Sequence, residues 1–197
     1  MSFSFIFVGS THGFADDFKK QKEVISSTLP EFVLCGDLEN NVLDSKEKFN
    51  EVLNKKEISD MTSFEDVEKL VRLCLDKNIK LVGIDFHNFG FDDNLQRKIK
   101  NQEELTKEEE EKLSEIVESR EKNHLSKILE YRKKTSKPLV VILGCWHLRE
   151  DSLLRKNLRN YKIIAPIDEN GKILFEPNKN EEIKYGEITP NDSEIKN

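Results

Sequence analysis

Leu139-Val140-Val141-Ile142-Leu143-Gly144-Cys145-Trp146-His147 decides the fold. Five consecutive apolar residues, three of them β-branched, are about one strand long. An unbroken apolar run of this kind suits a strand covered on both faces, as in the parallel sheets of α/β proteins. The run stops at a glycine, and a histidine follows three residues later. The same reading recurs at the start of the chain, where Phe5-Ile6-Phe7-Val8 leads into Gly9-Ser10-Thr11-His12. Further runs at residues 3–8, 32–35, 80–84 and 162–165 have strand length and strand composition.

The segments between these runs read as helices, at residues 14–28, 42–56, 62–78 and 102–135, the last with a break near Thr106. In the third, Val67, Leu70, Val71, Cys74 and Leu75 recur at helical spacing, and Thr62 with Glu65 fits a capping box. Strands alternating with helices predict an α/β fold: a mixed, mostly parallel central sheet flanked by helices. The stretch 102–135 opens with a dense acidic run and reads as a long helical extension that is mostly solvated. Near the C-terminus, residues 163–166 and 172–175 flank Asp168-Glu169-Asn170-Gly171, a hairpin signal. One α/β domain over residues 1–177 is expected, followed by a polar tail over 178–197 that is poorly ordered or a peripheral strand.

Composition excludes several classes. The 197 residues carry 32 Lys and Arg against 38 Asp and Glu, a net charge of −6, which disfavours nucleic acid as a partner. No apolar run approaches the roughly 20 residues of a membrane-spanning helix. The three cysteines, Cys35, Cys74 and Cys145, form no CxxC pair and leave an odd thiol, so a reducing compartment, the cytoplasm, is expected. A small-molecule or peptide substrate is the expected partner, and a homo-oligomer is compatible with this reading.

In open α/β sheets ligands bind outside the carboxyl ends of the strands. His12 and His147 both follow such ends, where two imidazoles suit a divalent transition metal or shared acid–base work. Asp37 and Glu39 follow the second strand, and Asp85 and His87 follow the third, so all four are candidates for the same rim. We take His12, His147, Asp37 and Glu39 as candidate metal ligands for Zn, Mn or Fe. Leu113, Ile116, Val117, Arg120, His124 and Ile128 share one helical face. An inward arginine there should meet a carboxylate or an anion, so Arg120 and Asp85 are candidate catalytic residues. His124 reads as structural. Cys145 reads as a small buried apolar residue, and Trp146 walls the pocket or packs.

These residues resemble the TraB/Tiki-like superfamily, which includes TraB and pheromone-shutdown proteins, Tiki proteases, erythromycin-esterase-like enzymes and ChaN-like haem-binding proteins. The likeness covers residues 5–158 at low similarity. It implies two GxxH motifs, matched here by Gly9–His12 and Gly144–His147, and a helical arginine, matched by Arg120. The family's acidic position falls on Gly36 in a gap-free comparison, so Asp37 or Glu39 must supply it. The implied activity is metal-dependent hydrolysis, including proteolysis. The alternative is a non-enzymatic binding or regulatory protein for haem or a small anion. A third reading, an interaction module, uses the acidic helix near residues 108–111. Ser10-Thr11-His12-Gly13 with Cys35-Gly36-Asp37 also resembles calcineurin-like metallophosphoesterases, although Ser10 stands where those enzymes have an acidic ligand.

Overall fold

Strand β1 (Phe5–Ser10) shows why the apolar runs are continuous. Ile6 and Val8 pack into one hydrophobic cluster, and Phe5 and Phe7 pack into another on the opposite face of the sheet. The same alternation holds in β5 (Leu139–Gly144), where Val140 and Ile142 face one way and Leu139, Val141 and Leu143 the other. Both faces are therefore covered, and apolar residues are needed at every position. This computed structural model describes residues 3–11, 15–58, 62–175 and 183–190.

The sheet has seven strands in the order β3-β4-β2-β5-β1-β6-β7. The remaining strands are β2 (Phe32–Glu39), β3 (Val42–Leu43), β4 (Lys80–Asp85), β6 (Tyr161–Pro166) and β7 (Tyr185–Ile188). The five inner strands are parallel, and only the edge strands β3 and β7 are antiparallel. Helices α1 (Ala15–Thr28), α2 (Lys46–Lys55) and α3 (Phe64–Asp76) supply one face through residues such as Val24, Ile25, Phe49, Val67 and Leu70. Helices α5 (Lys107–Arg132) and α6 (Leu153–Asn157) supply the other through Ile128, Tyr131 and Leu154. Each such side chain, fully buried, contributes roughly 1.5–3 kcal/mol. The expected mixed, mostly parallel sheet flanked by helices is the observed architecture.

Three local expectations need correction. The apolar start of the 42–56 segment is not helical: Val42–Leu43 pairs with β4 at the sheet edge, and α2 begins after Ser45, whose hydroxyl accepts from Lys48 N. Thr62 does not cap α3. Its hydroxyl donates to the Asp37 carbonyl at 2.5 Å, and Ser63 holds the cap position. The capping box instead forms at Thr106 and Glu109, at the break within 102–135, and starts α5. Ahead of it lies a helix the sequence reading missed, α4 (Asp93–Lys100). Its Lys98 pairs with Glu109 at 2.6 Å, and its cap Asp92 pairs with Lys112. Part of the acidic run thus finds its counter-charges within the chain. The expected C-terminal hairpin forms: Ile167 bridges Ile173, and Leu174 N donates to the Pro166 carbonyl at 2.9 Å. Beside it β7, from the polar stretch after Pro177, extends the sheet as a peripheral strand. Asp168 organises the turn by accepting from Asn170 N and Lys172 N.

Candidate functional site

β1 and β5 are parallel neighbours, with Ser10 opposite Gly144. The two GxxH motifs therefore leave the sheet side by side, offset by one residue. His12 lies outside the described residues. His147 follows in a 3-10 turn over Cys145–Leu148, directly beyond β5. Its ring is 7% exposed and lines a cavity of about 200 Å³ at the carboxyl ends of the strands. Gly36, Asp37, Val117, Arg120, Gly144 and Trp146 form the rest of the wall.

Behind this cavity, α5 presents Arg120, Glu121 and His124 to the sheet. Asn123 Nδ2 ties the helix to the end of β4 by donating to the Ile84 carbonyl at 2.7 Å. Asp85, fully buried at that strand end, accepts from Arg120 Nε at 3.0 Å, from Arg120 Nη2 at 2.7 Å and from His124 Nε2 at 3.0 Å. Burial opposes its ionisation, but the bonds from His124 and Arg120 outweigh that and bring its carboxyl to about 2. The His124 and His147 rings meet edge to face with centroids 4.9 Å apart. Glu121, 1% exposed, lies 3.5 Å from His147 Nδ1, accepts from Arg149 and accepts from Leu153 N at 3.1 Å. Burial again works against its charge, while His147 and Arg149 bring its carboxyl to about 2. Two carboxylates and two guanidiniums thus balance one another around a pair of histidines.

Neither His147 Nδ1 nor His124 Nδ1 makes a hydrogen bond, although both are buried. Burial pushes the His147 imidazole below its ordinary value, with Glu121 partly opposing, so the ring is neutral at pH 7. A neutral imidazole on a cavity wall can accept a proton or ligate a metal.

The expected carboxylate ligands separate. Asp37 lines the cavity. Glu39 is drawn to the turn after β4, where it accepts from Asn88 N at 2.8 Å and pairs with His87 Nδ1 at 2.8 Å. A bulge in β2 between Cys35 and Glu39 makes this reach. Gly83 permits it, because a Cβ there would lie 1.7 Å from the Glu39 carbonyl oxygen. At Gly36 a Cβ would meet Leu143 Cδ2 at 2.5 Å, so an acidic side chain where the resemblance puts one would have to displace the end of that leucine. Among the described residues no group of three His, Cys, Asp or Glu side chains converges on one point. These residues do not by themselves fit a metal ion. The Ser10 hydroxyl and the Thr11 amide and hydroxyl all bond to Asp17 of α1, which also accepts from Tyr185.

The sequence reading missed three contributors. Glu121 lies four residues after Val117 and three before His124, so the same helical spacing that marked Arg120 marks it too. Arg149 lies two residues past His147. Phe89 has no such signal: its ring lies 4.7 Å from Arg120 Cζ, opposite the grip of Asp85. Both Asn88 and Phe89 are left-handed, with φ of 51° and 54°. Asparagine tolerates this conformation and phenylalanine does not, at a cost of roughly 1–2 kcal/mol. Phe89→Gly is therefore expected to be more stable than Phe89→Ala by about 1 kcal/mol in urea unfolding. Equal midpoints would show an unstrained backbone.

No protein-family model, no curated protein and no solved structure matches this chain. The site stands on its geometry.

Proposed function

We propose that this protein is a hydrolase of small acyl compounds or peptides, acting in the cavity beyond β5. One observation carries the reading: a neutral, nine-tenths buried His147 shares a small cavity wall with the Arg120 guanidinium. His147 takes the proton of an attacking water and returns it to the leaving alkoxide or amine as the tetrahedral intermediate collapses. Arg120, held by Asp85 and Phe89, stabilises the oxyanion that forms on the carbonyl. The likeness of Gly9–His12, Arg120 and Gly144–His147 to TraB/Tiki-like hydrolases supports the same assignment. A divalent metal on His12 and His147, with Asp37 as the acidic ligand, remains part of that resemblance, and no step above runs through it. Three free, buried cysteines suit a cytoplasmic location. Among the described residues no helix is long and apolar enough to cross a membrane.

The second reading is binding without turnover, and Gly36 favours it, because a glycine stands on the wall where the resembled family has its acid. A small anion suits the cavity better than haem, since about 200 Å³ is below the roughly 300–1,000 Å³ of pockets for larger ligands.

The test is a panel of aryl and alkyl esters, amides and short peptides, each run with chelator and with added Zn²⁺ or Mn²⁺. Turnover by the wild type is expected to fall at least about 100-fold in His147→Ala, with the circular dichroism spectrum kept. Turnover that survives this substitution, or no turnover of any substrate under any metal condition, overturns the hydrolase reading.

A further inference from the structure

We propose that Trp146 and Phe175 form a shelf for the aromatic ring of the substrate, and that the substrate is a neutral aryl carbonyl compound whose carbonyl enters the cavity. The reaction of that carbonyl rests on the hydrolase reading above; the shelf itself does not.

Charged residues make up 36% of the chain, so a large exposed hydrophobic side chain is conspicuous. Among the described residues there are four: Leu29, Leu129, Trp146 and Phe175. Two of the four touch, and one of these, Trp146, is on the cavity wall. It is 53% exposed, although Cys145, His147 and Leu148 around it are buried. Phe175 arrives from the hairpin beyond β6 and meets the indole edge to face, with centroids 5.3 Å apart. The exposure of Trp146 is held in place. Arg149 Cζ lies 5.1 Å from its ring, and Arg149 Nη1 is fixed by Glu121 and by the Trp146 carbonyl at 3.0 Å. Glu121 is also the carboxylate beside His147, so one buried acid sets both the indole and the imidazole.

Size and charge choose the occupant. A cavity of about 200 Å³ holds one planar ring with a small substituent, since about 150 Å³ is already enough for benzene, and Trp146 stands on its wall. Asp85 is matched by Arg120 and Glu121 by Arg149, and Asp37, the other charged residue on the wall, is acidic, so the wall does not attract an anion. A planar ring gains offset or edge-to-face contacts on such a shelf that an aliphatic ring of similar area does not. His147, nearly buried, lines the same cavity.

Trp146 is the only tryptophan of the chain, so its fluorescence reports this site directly. The experiment titrates the full-length protein with benzamide, cyclohexanecarboxamide, benzoate and acetamide. Benzamide is expected to change the emission saturably, with cyclohexanecarboxamide and benzoate at least about 5-fold weaker and acetamide without effect. Phe175→Ala should weaken benzamide at least about 5-fold. Trp146→Leu, followed by ligand-observed NMR, should abolish binding while the circular dichroism spectrum stays unchanged. Equal affinity for the aliphatic analogue, tighter binding of benzoate, no saturable response, or wild-type affinity in both variants overturns the shelf. Benzamide binding without hydrolysis of any aryl ester or amide overturns only the hydrolase reading. Hydrolysis that does not favour aryl substrates, with no benzamide binding, overturns only the shelf.

Discussion

Asp85→Ala is expected to cost about 3–5 kcal/mol of folding stability, the range for removing one partner of a buried charge pair. Asp85 is fully buried and is the partner of two groups at once, Arg120 and His124, on a helix 35 and 39 residues further along the chain. Without it, a guanidinium that is 15% exposed and an imidazole that is wholly buried lose their acceptor. The reading is the midpoint of urea unfolding at pH 7. Combining Asp85→Ala with Arg120→Met should recover part of the loss, because replacing both members of a buried pair is far cheaper than removing one. A single-mutant cost under about 1 kcal/mol would show that Arg120 swings out to water. An additive double mutant would show that the two residues do not interact.

The fold was legible because its strands announce themselves. Phe5, Ile6, Phe7 and Val8 are all apolar because helices cover both faces, and the same holds for Leu139 to Leu143. Helix ends were less legible. Thr62 has the right chemistry for a cap, but its hydroxyl finds the Asp37 carbonyl, a partner 25 residues away. Local spacing cannot register such a competitor. Val42 and Leu43 fit a helical stripe as well as a strand, and tertiary pairing with Leu81 and Val82 decides between them. Helix α4 was hidden because it buries only Leu95, and Ile99 is its one other apolar residue.

The site was legible where it depends on position along a strand or a helix. His147 at the end of β5, Arg120 and Asp85 follow from that logic, and Arg120 does find Asp85. Contacts made by irregular backbone were not legible. Glu39 and Asp37 look equivalent in sequence, yet a bulge turns one toward Asn88 and leaves the other on the cavity wall. Phe175 joins Trp146 only because the hairpin folds back toward the rim.

Acid should unfold this protein through the same buried cluster, and Glu121 isolates the effect. Asp85 titrates at about 2 against an ordinary value of 3.8, and Glu121 at about 2 against 4.5. Both are lowered in the folded state. Their stabilisation is therefore complete above the unfolded values and is lost as pH falls from about 4.5 towards 2. Shifts of this size correspond to about 2–3 kcal/mol for each group, a large part of the 5–15 kcal/mol of a typical domain. His147, lowered by burial, adds the same sign as pH drops below its ordinary 6.5. Surface carboxylates paired with lysines also contribute to any acid slope, so the wild-type curve alone does not identify the cluster. Glu121→Gln does. It removes one lowered carboxyl and leaves Arg149, 22% exposed, able to turn to solvent. At pH 7 the variant should be less stable by about 2–3 kcal/mol, and by pH 2.5 the two unfolding free energies should agree within about 1 kcal/mol. Parallel curves from pH 7 to 2.5 would mean that Glu121 titrates alike in the folded and unfolded chain. Its contacts to Arg149 and His147 would then contribute nothing that depends on its charge.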